Sequence, residues 1–256
     1  MNADDIKNEF ANWRSKHGRP AWKPIVSDAQ SNSWFGGDPS PAPVTNWPTC
    51  AQCSKPMQFF LQLDLAALPQ DFSLPTTSGI LQLFYCSSDD GSCETWEPFS
   101  GTHHIAVRRK NSGDVLRPTE VTPLTQRFIT DWTPFSDSPH PEEHESLGLS
   151  YDYDFPNNIV SVKCNDPILE FENLNIDLDV AESISNATNG DKLGGWPYWI
   201  QGAEYPNCPQ CDATMNLVFQ IDSEDNLPYM FGDIGCAHLT QCPKHPETLA
   251  FGWACG

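Results

Sequence analysis

The chain has 256 residues, and its 34 acidic and 14 basic side chains give a formal net charge of −20. This length is enough for one large domain or for two of about 125 residues, and nine Trp with fourteen Phe exclude a disordered acidic tail. The charge repels phosphate backbones and no apolar stretch approaches the roughly 20 residues that span a bilayer, so neither nucleic acid nor a membrane is a predicted partner.

The first element in chain order is a short helix over residues 4–16, inside an N-terminal segment bounded at residues 1–27. The opening residues have neither the basic nor the apolar region of a secretory signal, so a cytoplasmic location is expected. In a reducing compartment, clustered cysteines bind metal more often than they form disulfides. The ten cysteines of this chain are therefore candidate metal ligands.

Two stretches of the chain repeat one another. Residues 35–65 align with residues 193–223 at a constant offset of 158, and ten of the 31 positions are identical, including both Gly-Gly-x-Pro and both Cys-x2-Cys motifs. After a two-residue slip, residues 79–86 align with residues 235–242. This pattern predicts an internal duplication.

Short apolar runs bounded by Pro, Gly and Asp predict the strands. In chain order they cover residues 57–64, 80–85, 128–132, 215–222, 235–242 and 249–254. Neighbouring strands within a repeat are expected to pair in the antiparallel sense. Residues 138–148 predict a short acidic helix with Pro141 in its first turn and Gly148 at its end, and residues 168–186 are ambiguous.

Together these elements predict an α+β, β-rich fold with few short helices. It consists of two duplicated antiparallel-sheet modules, each with a zinc-binding cysteine cluster. The first module is bounded at residues 28–135, and residues 136–256 hold an acidic connector and the second module. We expect the two modules to form one compact pseudo-symmetric unit.

The first module holds a Cys-x2-Cys motif that is followed, after 32 residues, by a Cys-x6-Cys motif. Zinc accepts four thiolates in a tetrahedron, and a Cys-x2-Cys turn presents two sulfurs at the required angle. Protein fills all four positions, which predicts a structural site with no open position for water. The predicted ligands are Cys50, Cys53, Cys86 and Cys93.

In the second module, Cys208, Cys211 and Cys242 align with three of those ligands. The fourth ligand is open between His245, which is favoured because zinc accepts the Cys-x2-His spacing, and Cys255, which can curl back from the last strand. A water is the remaining alternative. Two structural zinc ions per chain are therefore the predicted cofactor, and disulfides are the main competing interpretation.

Other candidate residues offer less chemistry. His140 and His144 lie four residues apart on the predicted helix, but they lack the His-Glu-x-x-His order of a metalloprotease, so a solvated acidic helix is favoured. Cys164 and Cys236 have no cysteine counterpart in the repeat and are predicted to be buried thiols. No nucleophile motif occurs, so no catalytic residue is predicted.

Two families share motifs with this chain. Residues 192–197, 231–235 and 249–255 resemble the YwqG-like family, a bacterial domain of unknown function. The Gly-Gly-x-Pro motif at residues 36–39, with the cysteines that follow it, is similar to the programmed cell death protein 2 family of eukaryotes. That similarity implies zinc binding and, for the eukaryotic relatives, a chaperone-like role in holding a ribosomal protein.

These features predict a non-catalytic protein-interaction or chaperone-like module whose acidic surface holds a basic protein partner. An immunity-type antagonist of a basic toxin has the same electrostatics and is one alternative. An enzyme is the other alternative, and it requires an open metal position in the second module.

Overall fold

The structure, a computed structural model, describes residues 3–40, 46–72, 74, 78–88, 91–108, 116–166, 169–184, 187–223 and 225–256. Its three α-helices are α1 (Ala3–His17), α2 (Pro141–His144) and α3 (Leu178–Ile184). The strands are β1 (Arg19–Ser27), β2 (Trp34–Phe35), β3 (Gln58–Asp64), β4 (Ile80–Tyr85), β5 (His103–Arg108), β6 (Arg127–Asp137), β7 (Leu149–Asp154), β8 (Ile159–Asp166), β9 (Leu169–Asp177), β10 (Lys192–Gly194), β11 (Asn216–Asp222), β12 (Cys236–Gln241) and β13 (Leu249–Ala254).

The prediction of a β-rich, antiparallel fold with few short helices is confirmed, and most of the described strands form one large sheet. The predicted N-terminal helix is α1, and the strand predicted at residues 128–132 is the longer β6. The predicted acidic helix is α2 continued by a 3-10 turn, with Pro141 at its start and Gly148 ending it at a φ of +82°. The ambiguous residues 168–186 divide, over their described part, into β9 and α3.

One ten-stranded sheet runs through the molecule in the order β13-β12-β11-β10-β1-β6-β2-β3-β4-β5. All its pairings are antiparallel. The pair β1 and β6 lies at the centre, with β2 to β5 on one side and β10 to β13 on the other. No helix within the described ranges is long and apolar enough to span a membrane.

The two sides of this sheet are built alike. Gln62 accepts a hydrogen bond from the Ser40 N–H at 3.0 Å and donates to the Asn32 carbonyl at 3.1 Å. Gln220, which lies 158 residues later, accepts from the Tyr198 N–H at 2.8 Å and donates to the Gly190 carbonyl at 2.9 Å. The partners in these bonds differ by the same offset of 158. These matching bonds support the predicted duplication, which remains an inference.

Both sides of the sheet contribute to one aromatic core. The rings of Phe35 and Phe219 lie 5.9 Å apart, and those of Tyr85 and Phe251 lie 5.7 Å apart. The indole N–H of Trp253 donates to the Tyr85 hydroxyl at 2.8 Å. The outer strands of the two sides therefore meet across the core, and the apolar surface of each side is removed from water by the other.

The connector between the two sides of the large sheet forms a second, smaller layer. Strands β7, β8 and β9 form an antiparallel sheet, and α1 lies against it. Ile6, Phe10 and Trp13 are spaced so that they share one face of α1, and they pack with Val160 and Val162 of β8. The N-terminal helix is thus part of the folded body through an amphipathic face.

A buried ion pair joins the centre of the large sheet to its second side. Lys192 Nζ lies 2.7 Å from Asp137 Oδ2, and the two side chains are 1% and 0% exposed. The same oxygen accepts the Trp196 N–H at 2.9 Å. Burial lowers the pKa of Lys192, and the adjacent Asp137 carboxylate opposes that shift. The pair therefore links β6 to β10, the two strands that flank β1, and the buried ammonium depends on the Asp137 carboxylate for its charge balance.

We expect Asp137→Ala to destabilise the fold by about 3–5 kcal/mol, because it leaves the Lys192 ammonium buried without a counter-charge. Urea unfolding followed by tryptophan fluorescence measures the loss. The double variant Asp137→Leu with Lys192→Met is the control, and it should recover part of the stability because no unpaired charge remains. A double variant no more stable than Asp137→Ala would contradict this account.

Candidate metal centres

The first Cys-x2-Cys motif lies on a tight loop at the entrance to β3. A bridge between Thr49 and Pro56 closes the loop, and the Cys50 N–H donates to the Lys55 carbonyl at 2.9 Å. Ser54 has a φ of +62°, so the chain turns in the left-handed region directly after Cys53. The loop thereby presents two thiols on one side.

The other two cysteines of the first cluster come from the end of β4 and the loop after it. Because β3 and β4 are antiparallel, the start of β3 lies beside the end of β4, where Cys86 follows. The Cys86 N–H donates to the Thr102 carbonyl at 2.8 Å, and the Gln52 side chain accepts the Glu94 N–H at 2.9 Å. These bonds fix the second pair of thiols opposite the first.

The four sulfurs of the first cluster fit a tetrahedral metal. Cys50 Sγ lies 3.8 Å from Cys93 Sγ, and Cys53 Sγ lies 3.7 Å from Cys86 Sγ. All four lie within 4.8 Å of one another. Four sulfurs at 2.3 Å from a central zinc would be about 3.8 Å apart, whereas a disulfide requires about 2.05 Å. All ten cysteines are free thiols, so the disulfide interpretation has no support.

The second cluster repeats the same local structure. A bridge between Asn207 and Thr214 closes its loop, and the Cys208 N–H donates to the Ala213 carbonyl at 2.9 Å. Asp212 has a φ of +56°, as Ser54 has in the first loop. Each of these residues lies 158 positions after its counterpart. Cys242 follows β12 and takes the place that Cys86 takes after β4.

The imidazole of His245 completes this second group. Its Nδ1 atom lies 3.6 Å from Cys208 Sγ and 3.8 Å from Cys242 Sγ, and Cys211 Sγ lies 3.7 Å from Cys242 Sγ. A zinc bound by sulfur and nitrogen would set these atoms about 3.6 Å apart. The backbone N–H groups of Lys244 and His245 donate to Cys242 Sγ, which curls this turn around the thiol.

Cys255, the other candidate for the fourth position, lies elsewhere. Its side chain packs against Gly232, where an added Cβ would come within 2.6 Å of its Sγ. Cys236 and Cys164 are buried, at 0% and 3% exposed, as predicted for thiols outside the clusters. The structure therefore brings the eight predicted residues together in two groups of four, and each group can hold a metal ion.

The local environment favours ionised thiols at one cysteine of each group. Burial raises the pKa of Cys53, but the Lys55 N–H and the neighbouring thiols outweigh it and bring the pKa to about 7. At Cys208 the Gln210 N–H and His245 likewise outweigh burial, and the pKa falls to about 6. Thiolate is the form that binds metal, so these positions favour ligation.

The prediction of a solvated helix at His140 and His144 is wrong in part. His144 is only 2% exposed, and its imidazole hydrogen-bonds to the Tyr151 hydroxyl at 2.9 Å and stands edge-on to Trp13. Glu143 is 5% exposed and accepts hydrogen bonds from the Trp199 indole and the Tyr205 hydroxyl. His140 caps α2 through its Nδ1 atom. The helix turns these groups inward because it lies between the two layers.

Comparison with known proteins identifies a family whose model covers both clusters. Residues 33–251 match the model of the domain of unknown function DUF1963. The chain belongs to this family. The matched span contains all eight residues of the two clusters but neither α1 nor Cys255.

A single stretch is also similar to a curated protein. It is 42% identical over 45 residues to the uncharacterized protein YpfL of Salmonella typhimurium, which is 18% of this chain and 11% of that protein. The match thus spans about a tenth of the relative's length. The resemblances to the YwqG-like and programmed cell death protein 2 families remain predictions.

Native mass spectrometry should detect two zinc ions per chain in protein purified without chelator. We expect Cys50→Ser to lose one zinc and to lower the melting temperature strongly, because metal-binding free energy contributes directly to folding in such sites. The matched control is Cys255→Ser, which should keep both ions. A melting temperature that responds neither to Cys50→Ser nor to chelator would exclude a structural metal at the first cluster.

The role of His245 can be tested separately. His245→Ala should reduce the metal content towards one ion per chain, whereas His245→Cys should retain two because it recreates the four-thiolate set of the first cluster. Replacing zinc with cobalt allows the visible absorption of tetrahedral cobalt–thiolate to report on each variant. If His245→Ala kept both ions with unchanged affinity, the imidazole would not be a ligand.

Proposed function

We propose that this chain is a zinc-binding protein that holds a basic protein partner on its acidic surface and catalyses no reaction. The observation that carries the metal part is the complete set of four protein donors in each cluster. Sets of four thiolates, or of three thiolates and one imidazole, are those of closed structural zinc sites. The soft thiolate donors also favour zinc over calcium or magnesium.

We further infer that the two halves of the large sheet, which are β2 to β5 and β10 to β13 with their connecting loops, arose by duplication. The bridged cysteine loops, their left-handed residues and the paired glutamines all recur at an offset of 158. Each half carries its metal cluster where a strand pair opens, so a bound ion would fasten loops that the sheet alone does not hold. This arrangement supports a stabilising role for both ions.

Charge supports the second part of the proposal. The net charge is −20, and several cations are already engaged within the chain: Lys192 with Asp137, Arg117 with Asp38, and Arg19 over the Trp196 ring. The surface offered to a partner is correspondingly acidic, and such a field attracts and steers basic proteins. A ribosomal protein, the client implied by the resemblance to the programmed cell death protein 2 family, is a basic partner of this kind.

The two alternatives have less support. An enzyme requires an open metal position, and His245 Nδ1 lies where the fourth ligand of the second cluster is needed. An antagonist of a basic toxin shares the acidic surface, and no specific contact favours it over a chaperone-like role. We propose a cytoplasmic location, and the free thiols support it because disulfides are rare in that reducing compartment.

Affinity capture on the zinc-loaded chain should return a stoichiometric basic protein at low salt, with binding that weakens steeply towards physiological salt because screening shortens the reach of the charges. The captured protein is then purified and its dissociation constant measured by calorimetry with the intact chain. The control is the same titration with an acidic protein of equal size. The proposal fails if no basic protein binds stoichiometrically at either salt concentration.

A further inference from the structure

A cavity of about 420 Å³ opens between the two halves, within the range of about 300–1,000 Å³ that small-molecule sites occupy. Residues 96–98 of the first half form one wall, and β12 and β13 form the other. The walls approach closely at Gly252, where an added Cβ would come within 2.8 Å of the Trp96 carbonyl oxygen. The backbone N–H of Trp253 donates a hydrogen bond to that oxygen at 3.2 Å, which holds the two walls together.

The cavity exists because the second half departs from the repeat. In the first half, Trp47 and Phe84 are buried and stand edge-on with ring centres 5.4 Å apart. The positions that correspond to them in the second half are Tyr205 and Thr240, and both line the cavity. Replacing Phe84 by a threonine removes the ring that fills this space. What is core in one half is therefore an open site in the other.

The walls of the cavity are aromatic. Its lining includes Trp96, Trp199, Tyr205 and Trp253. The buried Glu143 accepts hydrogen bonds from the Trp199 indole and the Tyr205 hydroxyl, each at 2.7 Å. The polar ends of these two side chains are therefore occupied, and ring surface is what they offer to a ligand. Such surfaces attract cations.

The charges around the cavity point to the same ligand. Glu97 and Glu204 stand exposed at its edge, and its described lining contains no lysine or arginine. His238 at its floor has a pKa lowered to about 3, first by burial and then by Lys192, so it is neutral at pH 7. The Thr240 hydroxyl, 2% exposed, has no hydrogen-bond partner among the described residues. A donor with a positive charge would complement the two carboxylates at the edge.

We propose that this cavity binds an arginine side chain of the basic protein partner, an inference that rests on the proposed function. A guanidinium is flat enough to stack on the indole rings and has five donors for the two carboxylates. A lysine ammonium is a compact, strongly hydrated charge that stacks less well. The cavity therefore selects arginine within a surface that attracts any basic protein.

The position of the cavity connects it to the metal clusters. Trp96 follows Cys93 by three residues, and Tyr205 precedes Cys208 by three. The two opposing walls are therefore anchored at the loops that the two clusters close. A bound metal in each cluster would steady the loop that carries one of these aromatic residues.

The test uses the full, zinc-loaded chain with nitrogen-15 labels and follows its indole N–H resonances by NMR. The probe is Nα-acetyl-arginine amide at physiological salt, and Nα-acetyl-citrulline amide is its neutral match. Resonances of Trp96, Trp199 and Trp253, assigned with Trp→Phe variants, should shift with arginine but not with citrulline. The Trp13 and Trp34 resonances, from other parts of the core, should stay still.

Thr240→Phe restores the residue type that fills this space in the first half and should weaken arginine binding by about tenfold or more. Glu97→Gln with Glu204→Gln should weaken it severalfold. The matched charge control is Asp4→Asn with Glu120→Gln, two exposed acids away from the cavity, which should have little effect. Equal shifts with citrulline, or an equal loss in the charge control, would overturn the assignment to this cavity.

Failure of this inference and failure of the proposed function give different results. If a basic protein binds the wild type and Thr240→Phe equally well, the cavity is not its arginine site, although the acidic surface still holds a partner. If arginine amide binds the cavity but no basic protein is captured, the partner proposal fails and a cation site remains.

Discussion

The antiparallel pairing of Arg19–Ser27 with Arg127–Asp137 is the contact on which the rest of the structure depends. It joins the two half-sheets edge to edge, so that the aromatic face of each is covered by the other. Without it, each half would expose rings such as Phe35 or Phe219 to water, because the largest buried cluster is shared by both halves. The buried Lys192–Asp137 pair extends this central contact to the second half, since it links the last residue of β6 to the first of β10.

The large sheet positions two kinds of candidate site, the cysteine clusters and the aromatic cavity. The cysteine clusters lie where strand pairs open, far along the sheet from its centre, and their donors are all local to one half. The aromatic cavity is the opposite case, because its walls come from both halves and it forms only when the sheet folds on itself. The candidate metal sites and the proposed recognition site are thus separated in the structure, although short loops connect them. This separation suits a protein that holds a partner without chemistry.

The sequence predicted the longer strands of the repeat and the eight residues that form the two clusters, but not the short β2 and β10, because cysteine spacing and apolar runs are local signals. It did not predict β1, whose Pro20 and Pro24 argue against a central strand. The structure accommodates them because β10 pairs only with Ala21 and Trp22, between the two prolines. The inward placement of Glu143 depends on the second layer, which no local pattern reveals. The alignment of Phe84 with Thr240 is a sequence signal for the cavity. It could be interpreted only once the structure showed that Phe84 is buried.

The position of β1 at the centre has a consequence for how the chain is made. One edge of β1 pairs with β6, whereas at the other edge Ala21 pairs with Gly194, so this second edge waits for a partner 173 residues later. At ribosomal speeds this delay is roughly 10 to 35 seconds, and such distant pairing also slows folding itself. During that interval this second edge of β1 is open, and the two prolines of the strand lack the N–H groups through which another chain would add a strand. Pro20 and Pro24, which make β1 hard to predict from the sequence, thereby make this edge a poor template for aggregation.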